Sequence, residues 1–405
     1  MESMKSSEQD PIVLVAAKRT PIGHFNGYFK ETPCPLLGAA ALSACLSQSN
    51  LSVNHIDEVL MGCVLTAGLG QAPARQAAIF AGLPPSIPCT TVNKMCGSGM
   101  KAIMLAHDAL LAGSAKIVLA GGMENMSRAP YLLTKGRWGY RLGRGKIEDH
   151  LMQDGLEDPY HHQRSMGSFA EECAKTYQFS RAEQDAYALT SLRRAKAAAD
   201  GQRFQFEIAA VHCNHHENMT APAVTADEGP LKMNPEKIPL LKPAFAENGT
   251  VTAANSSSIS DGAATVLLMR ASEAKRFHCQ PLATILGHAT HAQEPEKFTT
   301  APIEAIRKLL HALQWRPEEV DLFEINEAFA VVVLAAFKTL SLNPEQVNVH
   351  GGSCVLGHPI GASGARILIT LLYALAQRRL KRGIAALCIG GGEATAMAIE
   401  CHLEI

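Results

Sequence analysis

Two thiols, an imidazole and a side-chain amide stand out in this chain by type and by setting. Cys96 lies in Val92-Asn93-Lys94-Met95-Cys96-Gly97-Ser98-Gly99-Met100, and Asn326 in Glu324-Ile325-Asn326-Glu327-Ala328-Phe329-Ala330. His358 lies in a glycine-laced run from Gly351 to Gly364, and Cys388 opens Cys388-Ile389-Gly390-Gly391-Gly392. A thiolate is a nucleophile able to carry an acyl group, an imidazole can take its proton, and an amide can donate to developing negative charge. Each residue also has an ordinary structural reading. Cys96 on its own fits a small buried hydrophobe as well as a nucleophile; Asn326 fits a helix N-cap, His358 a loop histidine and Cys388 core packing. Coincidence argues for chemistry: all four fall at equivalent edges of a repeated pattern, with glycines clearing space around the thiols and the imidazole.

The elements that must position them are legible. An apolar strand signal over 88–92 runs into Cys96, and an apolar helical stretch over 100–112 leaves it. This puts the sulfur at or beside a helix N-terminus, where unpaired N–H groups and the macrodipole favour thiolate over thiol. Strands are also expected at 12–17, 58–65, 116–120 and 263–270, and helices at 36–49 and 74–81. From Pro281 the alternation resumes: strands at 282–288, 320–325, 347–350, 384–389 and 396–403, helices at 303–313, 327–340 and 363–379. Such alternation predicts a largely parallel sheet.

The second run copies the first. Cys96-Gly-Ser-Gly99 opens the third helix of one half, and Gly361-Ala-Ser-Gly364 opens its counterpart. The strands that follow end in Gly121-Gly122-Met123-Glu124 and Gly390-Gly391-Gly392-Glu393. Both helices are apolar on nearly all sides and should be buried on nearly all sides. Packed together between two sheets, with amphipathic helices outside, they give an α/β, five-layer αβαβα architecture with internal duplication. Residues 1–277 form the N-terminal half and 278–405 the C-terminal half. The more polar stretch 126–252 reads as an inserted loop domain, with helices at 169–176 and 182–200 and a capping box from Ser180 to Glu183.

Composition narrows the class. The 405 residues carry 37 basic and 38 acidic side chains without long runs of one sign, which disfavours nucleic acid and anionic membranes as partners. Eleven cysteines, an odd number without a CxxC, point to free thiols in a reducing compartment. The first residues resemble no targeting segment and no apolar run is long enough for a membrane span, so a cytoplasmic location is expected. His212-Cys213-Asn214-His215-His216 has ligand-type residues but no second ligand group at metal-site spacing, and no metal is expected at the catalytic centre.

The chain resembles thiolases of the acetyl-CoA acetyltransferase type over nearly its full length. The resemblance rests on Ala17-Lys-Arg-Thr-Pro-Ile-Gly23, Asn93-Lys-Met-Cys-Gly-Ser-Gly99, Gly121-Gly-Met-Glu-Asn-Met-Ser127, Thr252-Ala-Ala-Asn-Ser-Ser257 with Asp261-Gly-Ala-Ala264, Asn326-Glu-Ala-Phe-Ala330, Gly357-His-Pro-Ile-Gly-Ala-Ser-Gly364 and Cys388-Ile-Gly-Gly-Gly392. It implies reversible condensation of two acetyl-CoA to acetoacetyl-CoA plus CoA, or thiolysis of a 3-ketoacyl-CoA. Cys96 would be the acyl-accepting nucleophile, His358 its activating base, Cys388 the acid/base at the α-carbon, and Asn326 the holder of an oxyanion-hole water. Gly390 would supply an oxyanion-hole amide, Ser257 a pantetheine contact and Met166 a contact near the substrate tail. The 126–252 insert resembles the family's CoA-binding loop domain. CoA thioesters are substrates, and no separate cofactor is implied; a homodimer or homotetramer is. Alternatives are a broad-chain degradative 3-ketoacyl-CoA thiolase, a ketoacyl-carrier-protein synthase-like enzyme, against which Cys388 argues, and an inactive thiolase-like scaffold. Departures at Ser353-Cys354, Ser258, Glu393-Ala394-Thr395 and Ser165-Met166-Gly167 touch substrate fit and leave acyl chain length open.

Overall fold

The computed structural model describes residues 10–213 and 223–405, so most of the 212–216 histidine–cysteine cluster lies outside the described residues. In the first half, β1 (Ile12–Arg19), α1 (Cys34–Ser49), β2 (Glu58–Gly62), α2 (Pro73–Phe80), β3 (Cys89–Val92), α3 (Ser98–Ala112) and β4 (Ile117–Asn125) follow one another. The chain then wanders through an irregular stretch carrying α4 (Met166–Tyr177) and α5 (Arg181–Asp200) before β5 (Ser260–Arg270). The second half repeats the plan with β6 (Ala283–Ala292), α6 (Ala301–Leu313), β7 (Leu322–Ile325), α7 (Ala330–Leu340), α8 (Ser363–Arg378), β8 (Arg382–Ile389) and β9 (Glu393–Cys401).

Strand order makes the duplication explicit. The first half runs β3-β2-β4-β5-β1 and the second β7-β8-β9-β6, with Val347 bridging in parallel to Phe323 where a fifth strand would stand. The halves are joined edge to edge by a short antiparallel pairing, Val13 with Thr284 and Leu14 with Ala283. Only β2–β3, β2–β4 and β7–β8 are parallel; every other pair of named strands is antiparallel, which corrects the largely parallel sheet predicted above. The cause is local. Gly391 and Gly392, at φ +90° and +86°, turn β8 straight back into β9 as a hairpin, a left-handed conformation that costs glycine little. In the first half the long excursion after β4 returns as β5 in the same antiparallel register.

Three apolar clusters separate the layers. One lies between the strands and α1–α2, one between the strands and α6–α7, and the central one around α3 and α8. All residues from Ser363 to Ala376 in α8 are buried, as an all-round apolar helix requires. Helix α3 departs from that expectation: Leu105, Asp108 and Leu111 lie on an exposed edge. The two helices touch through glycines at their N-termini. A Cβ on Gly99 would lie 2.9 Å from the Gly361 carbonyl, and one on Gly364 would lie 2.6 Å from the Met100 amide. The loops preceding both helices are thereby brought together. The excursion is anchored to the body by a buried cation: Arg19, at the end of β1, donates to Glu207 at 2.8 Å and to Asp227 at 2.7 Å. Ser180 and Glu183 form the expected capping box on α5.

Candidate active site

Cys96 occupies the tight link between β3 and α3. Met95 takes a left-handed φ of +47°, unusual for a side chain with Cβ, and Asn93 Oδ1 holds its amide at 3.0 Å. Ser98 Oγ accepts from the Lys94 amide at 2.8 Å and donates to the Met95 carbonyl at 2.6 Å, so the turn is braced from inside. Across from it stands Gly390, whose backbone amide, like that of Cys96 itself, favours the charged form of the Cys96 sulfur. Lys94 pairs with Glu393, tying the same two loops at their outer edge. A Cβ on Gly97 would lie 2.3 Å from Ile389 Cδ1, which shows how closely the Cys388–Gly392 turn is applied to the Cys96 loop. The two thiols therefore come from different halves and meet at one place.

Their resting state differs from the thiolate expected of a helix N-terminus. Burial pushes the Cys96 thiol up to about 11, outweighing the two amides that favour the charged form, and buried Glu124 adds a smaller upward push. Burial also lifts the Cys388 thiol well above its usual range, and the neighbouring Cys96 adds to it. Removal from water outweighs the helix terminus here, so both sulfurs rest protonated and activation must come from a base.

The imidazole nearest in the motif pattern is that of His358. Its ring is buried and its Nδ1 lies 2.6 Å from Ser363 Oγ in the first turn of α8. The serine's single proton goes to the Pro359 carbonyl at 2.9 Å, so Nδ1 carries hydrogen and donates to Oγ. Nε2 keeps its lone pair and has no hydrogen-bond partner among the described residues. Burial lowers this imidazole to about 3, with Arg366 contributing, so it is neutral at physiological pH. Ile360, two residues beyond, belongs to the small apolar cluster that Cys96 packs against.

Asn326 follows the end of β7, and its backbone amide donates to the Ala386 carbonyl at 2.9 Å, two residues before Cys388. Its orientation follows from donor counting. Arg366 can only donate, and its Nη2 lies 3.0 Å from Ser353 Oγ; Ser353 therefore gives its own proton to Asn326 Oδ1 at 2.6 Å. Asn326 Nδ2 is left buried with no acceptor among the described residues.

Two buried carboxylates, not singled out from sequence, hold the loops. Glu327 accepts from Tyr187, Ser191, Asn348 and the Cys354 amide, fixing the loop that leads to His358. Glu124 accepts from the amides of Val64, Leu65 and Gly361, binding a first-half loop to the Pro359–Gly364 turn; burial raises it to about 7. Ser363 and Arg366 also went unmarked, and Ser353 was noted only as a departure bearing on substrate fit. Ser363 sat inside a quoted motif but looks like a turn residue until its partners are seen. Of the expected substrate contacts, Met166 Sδ would lie 3.5 Å from a Cβ on Gly390, at the mouth of the same turn. Ser257 is half-buried, its amide bonded to the Ala328 carbonyl at 2.9 Å.

Comparison with known proteins comes to the same architecture. The description of the thiolase N-terminal domain matches residues 12–272, and that of the thiolase C-terminal domain matches residues 279–401. An acetyl-CoA acetyltransferase of Schizosaccharomyces pombe is 46% identical over 389 residues, spanning 96% of this chain and 98% of its own. Acetyl-CoA acetyltransferase 2 of Arabidopsis thaliana is 47% identical over 390 residues, 96% of each chain. Among solved structures, the acetyl-CoA acetyltransferase of Bacillus anthracis superposes with a TM-score of 0.93 at 39% identity, covering 97% of this chain and 99% of that one. A thiolase of Ascaris suum in complex with coenzyme A gives 0.91 at 40% identity, covering 96% and 100%.

Proposed function

The chain belongs to the thiolase family, and from that premise we propose that it is an acetyl-CoA C-acetyltransferase using Cys96, His358, Cys388 and Asn326. It interconverts two acetyl-CoA with acetoacetyl-CoA and CoA. His358 Nε2 takes the Cys96 proton, and the sulfur attacks the acetyl-CoA carbonyl. The CoA thiolate leaves as the thiol with the proton from Cys388, and Cys96 holds the acetyl group as a thioester. The Cys388 thiolate then removes an α-proton from the second acetyl-CoA. The enolate oxygen is held by protonated His358 and by a water on Asn326 Nδ2. Attack of the enolate carbon on the thioester builds a tetrahedral oxyanion facing the amides of Cys96 and Gly390. Collapse expels the Cys96 thiolate, which recovers its proton from His358. Both thiols and the neutral imidazole are restored, so protons balance over the cycle.

The observation that carries this reading is the close application of the Cys388–Gly392 turn to the Cys96 loop, where a Cβ on Gly97 would lie 2.3 Å from Ile389 Cδ1 and Lys94 pairs with Glu393 across the duplicated halves. The unpartnered His358 Nε2 and Asn326 Nδ2 add to it. Ser257 contacts the pantetheine arm and Met166 lies at the acyl end; no cofactor beyond the CoA substrates takes part. Among the described residues no helix is long and apolar enough to cross a membrane, and all eleven cysteines are free, which suits a reducing, cytoplasmic setting. A homodimer or homotetramer accounts for the open edge of β3 and the apolar side chains Tyr131, Leu133, Trp138 and Leu142 displayed by the excursion. The test is turnover of acetoacetyl-CoA with CoA, compared with longer 3-ketoacyl-CoA substrates. Preferred turnover of the four-carbon substrate supports the proposal. Equal or faster turnover of long chains would make it a broad-chain thiolase, and none at all by folded protein would refute it.

A further inference from the structure

In the middle of α3, His107 is 9% exposed and its Nδ1 has no hydrogen-bond partner among the described residues. Asp108 Oδ1 lies 3.6 Å from that nitrogen, too far for a hydrogen bond. The same oxygen is 3.0 Å from Nε2 of His288, which β6 brings from the other half of the chain. The two imidazoles meet edge to face with centroids 5.1 Å apart, and the three ligand-type atoms all lie within 4.8 Å of one another. A hydrogen-bonded histidine–aspartate pair accounts for His288 but leaves His107 Nδ1 as a buried orphan. Asp108 is 53% exposed on its side chain, which leaves an open side for an ion to enter and for water to complete its coordination. Ligands about 2.0–2.1 Å from a zinc ion lie roughly 3–3.5 Å from one another. The 3.0 and 3.6 Å separations already approach this.

We propose that His107 Nδ1, Asp108 Oδ1 and His288 Nε2 bind one borderline divalent cation, of the zinc and cobalt class, as a structural clamp between the two halves. Two imidazoles with a carboxylate suit such ions, whereas magnesium and calcium prefer all-oxygen sets. The position has mechanical sense. The β1–β6 pairing that joins the halves ends at Leu14 and Thr284, and His288 lies one stretch of strand beyond it. The site stands apart from the acyl-transfer reading: Cys96 is about three helical turns away, on the order of 16 Å along α3.

The probe is cobalt(II) added to the full-length protein, followed by visible absorbance. One equivalent per chain should give d–d bands without the sulfur-to-cobalt charge transfer that any of the eleven thiols would produce, and zinc should displace it. His288→Asn and Asp108→Asn should each abolish the signal while keeping the thiolysis rate, which reports an intact fold. Zinc should also raise the melting temperature of the unaltered protein but not of either variant. No saturable d–d signal, a signal of thiolate character, or one that persists in both variants would overturn the proposal.

Discussion

Replacing Ser363 by alanine isolates the device that makes His358 a base. In the native chain Nδ1–H donates to Ser363 Oγ at 2.6 Å, and that hydroxyl is committed to the Pro359 carbonyl at 2.9 Å. Without Oγ the ring either keeps a buried N–H with no acceptor or moves its proton to Nε2 and loses the lone pair that accepts from Cys96. Leaving a buried donor unsatisfied costs about 1–3 kcal/mol. At about 1.36 kcal/mol per tenfold in rate, Cys96 acetylation should slow by roughly 5-fold to 160-fold. The assay is single-turnover acetylation of Cys96 alongside steady-state thiolysis of acetoacetyl-CoA, with thermal melting as the control. Because Ser363 is fully buried beneath the ring, kcat should fall while KM changes little. A variant with an unaltered melting temperature and wild-type kcat would refute the assignment of the tautomer.

Three further outcomes follow from the same geometry. With Cys96 held near 11 by burial, its alkylation by iodoacetamide should climb about tenfold per pH unit from neutrality upward, since the thiolate fraction does; a plateau near pH 7 would mean that the helix terminus outweighs burial. Ser353→Ala removes the hydroxyl that orients the Asn326 amide, so condensation should slow by about 2-fold to 13-fold, from roughly 0.5–1.5 kcal/mol, with Cys96 acetylation unchanged; equal slowing of both steps would contradict a role at the enolate. Gly364→Ala would put a Cβ 2.6 Å from the Met100 amide at the α3–α8 contact, so chemical denaturation should show a loss of about 1–3 kcal/mol, and unchanged stability would mean that the helices can part freely there.

Much of this was legible in the sequence because chemistry and topology share a signature. Cys96 before α3, Asn326 after β7 and His358 before α8 fall where strand and helix patterns meet, Cys388 falls at a strand end before three glycines, and the Gly-x-Ser-Gly and Gly-Gly echoes exposed the duplication. What stayed hidden depends on contacts distant in sequence. Glu327 gathers donors from Tyr187, 140 residues away, and Ser191, 136 away, while Glu124 bonds Gly361 across 237 residues. Ser363 reads as a turn residue and Ser353 as a departure bearing on substrate fit until Pro359 and Asn326 show where their protons go. Sheet direction was misjudged because alternation marks elements but not how a glycine turn reverses them. The thiolate expected at Cys96 failed for an energetic reason: a helix terminus helps by a few tenths to about 1 kcal/mol, and burying the charge costs more.

The central claim is that Cys96 carries the acyl group while Cys388 handles the α-proton. Intact-protein mass spectrometry after mixing with acetyl-CoA tests it directly in three forms of the chain: unaltered, Cys96→Ala and Cys388→Ala. One acetyl adduct, mapped to Cys96, should appear in the unaltered and Cys388→Ala proteins and be absent from Cys96→Ala, with Cys388→Ala trapping the adduct because it cannot form the enolate. Acetylation that persists in Cys96→Ala, or that disappears equally from both variants, would contradict the division of labour between the two sulfurs.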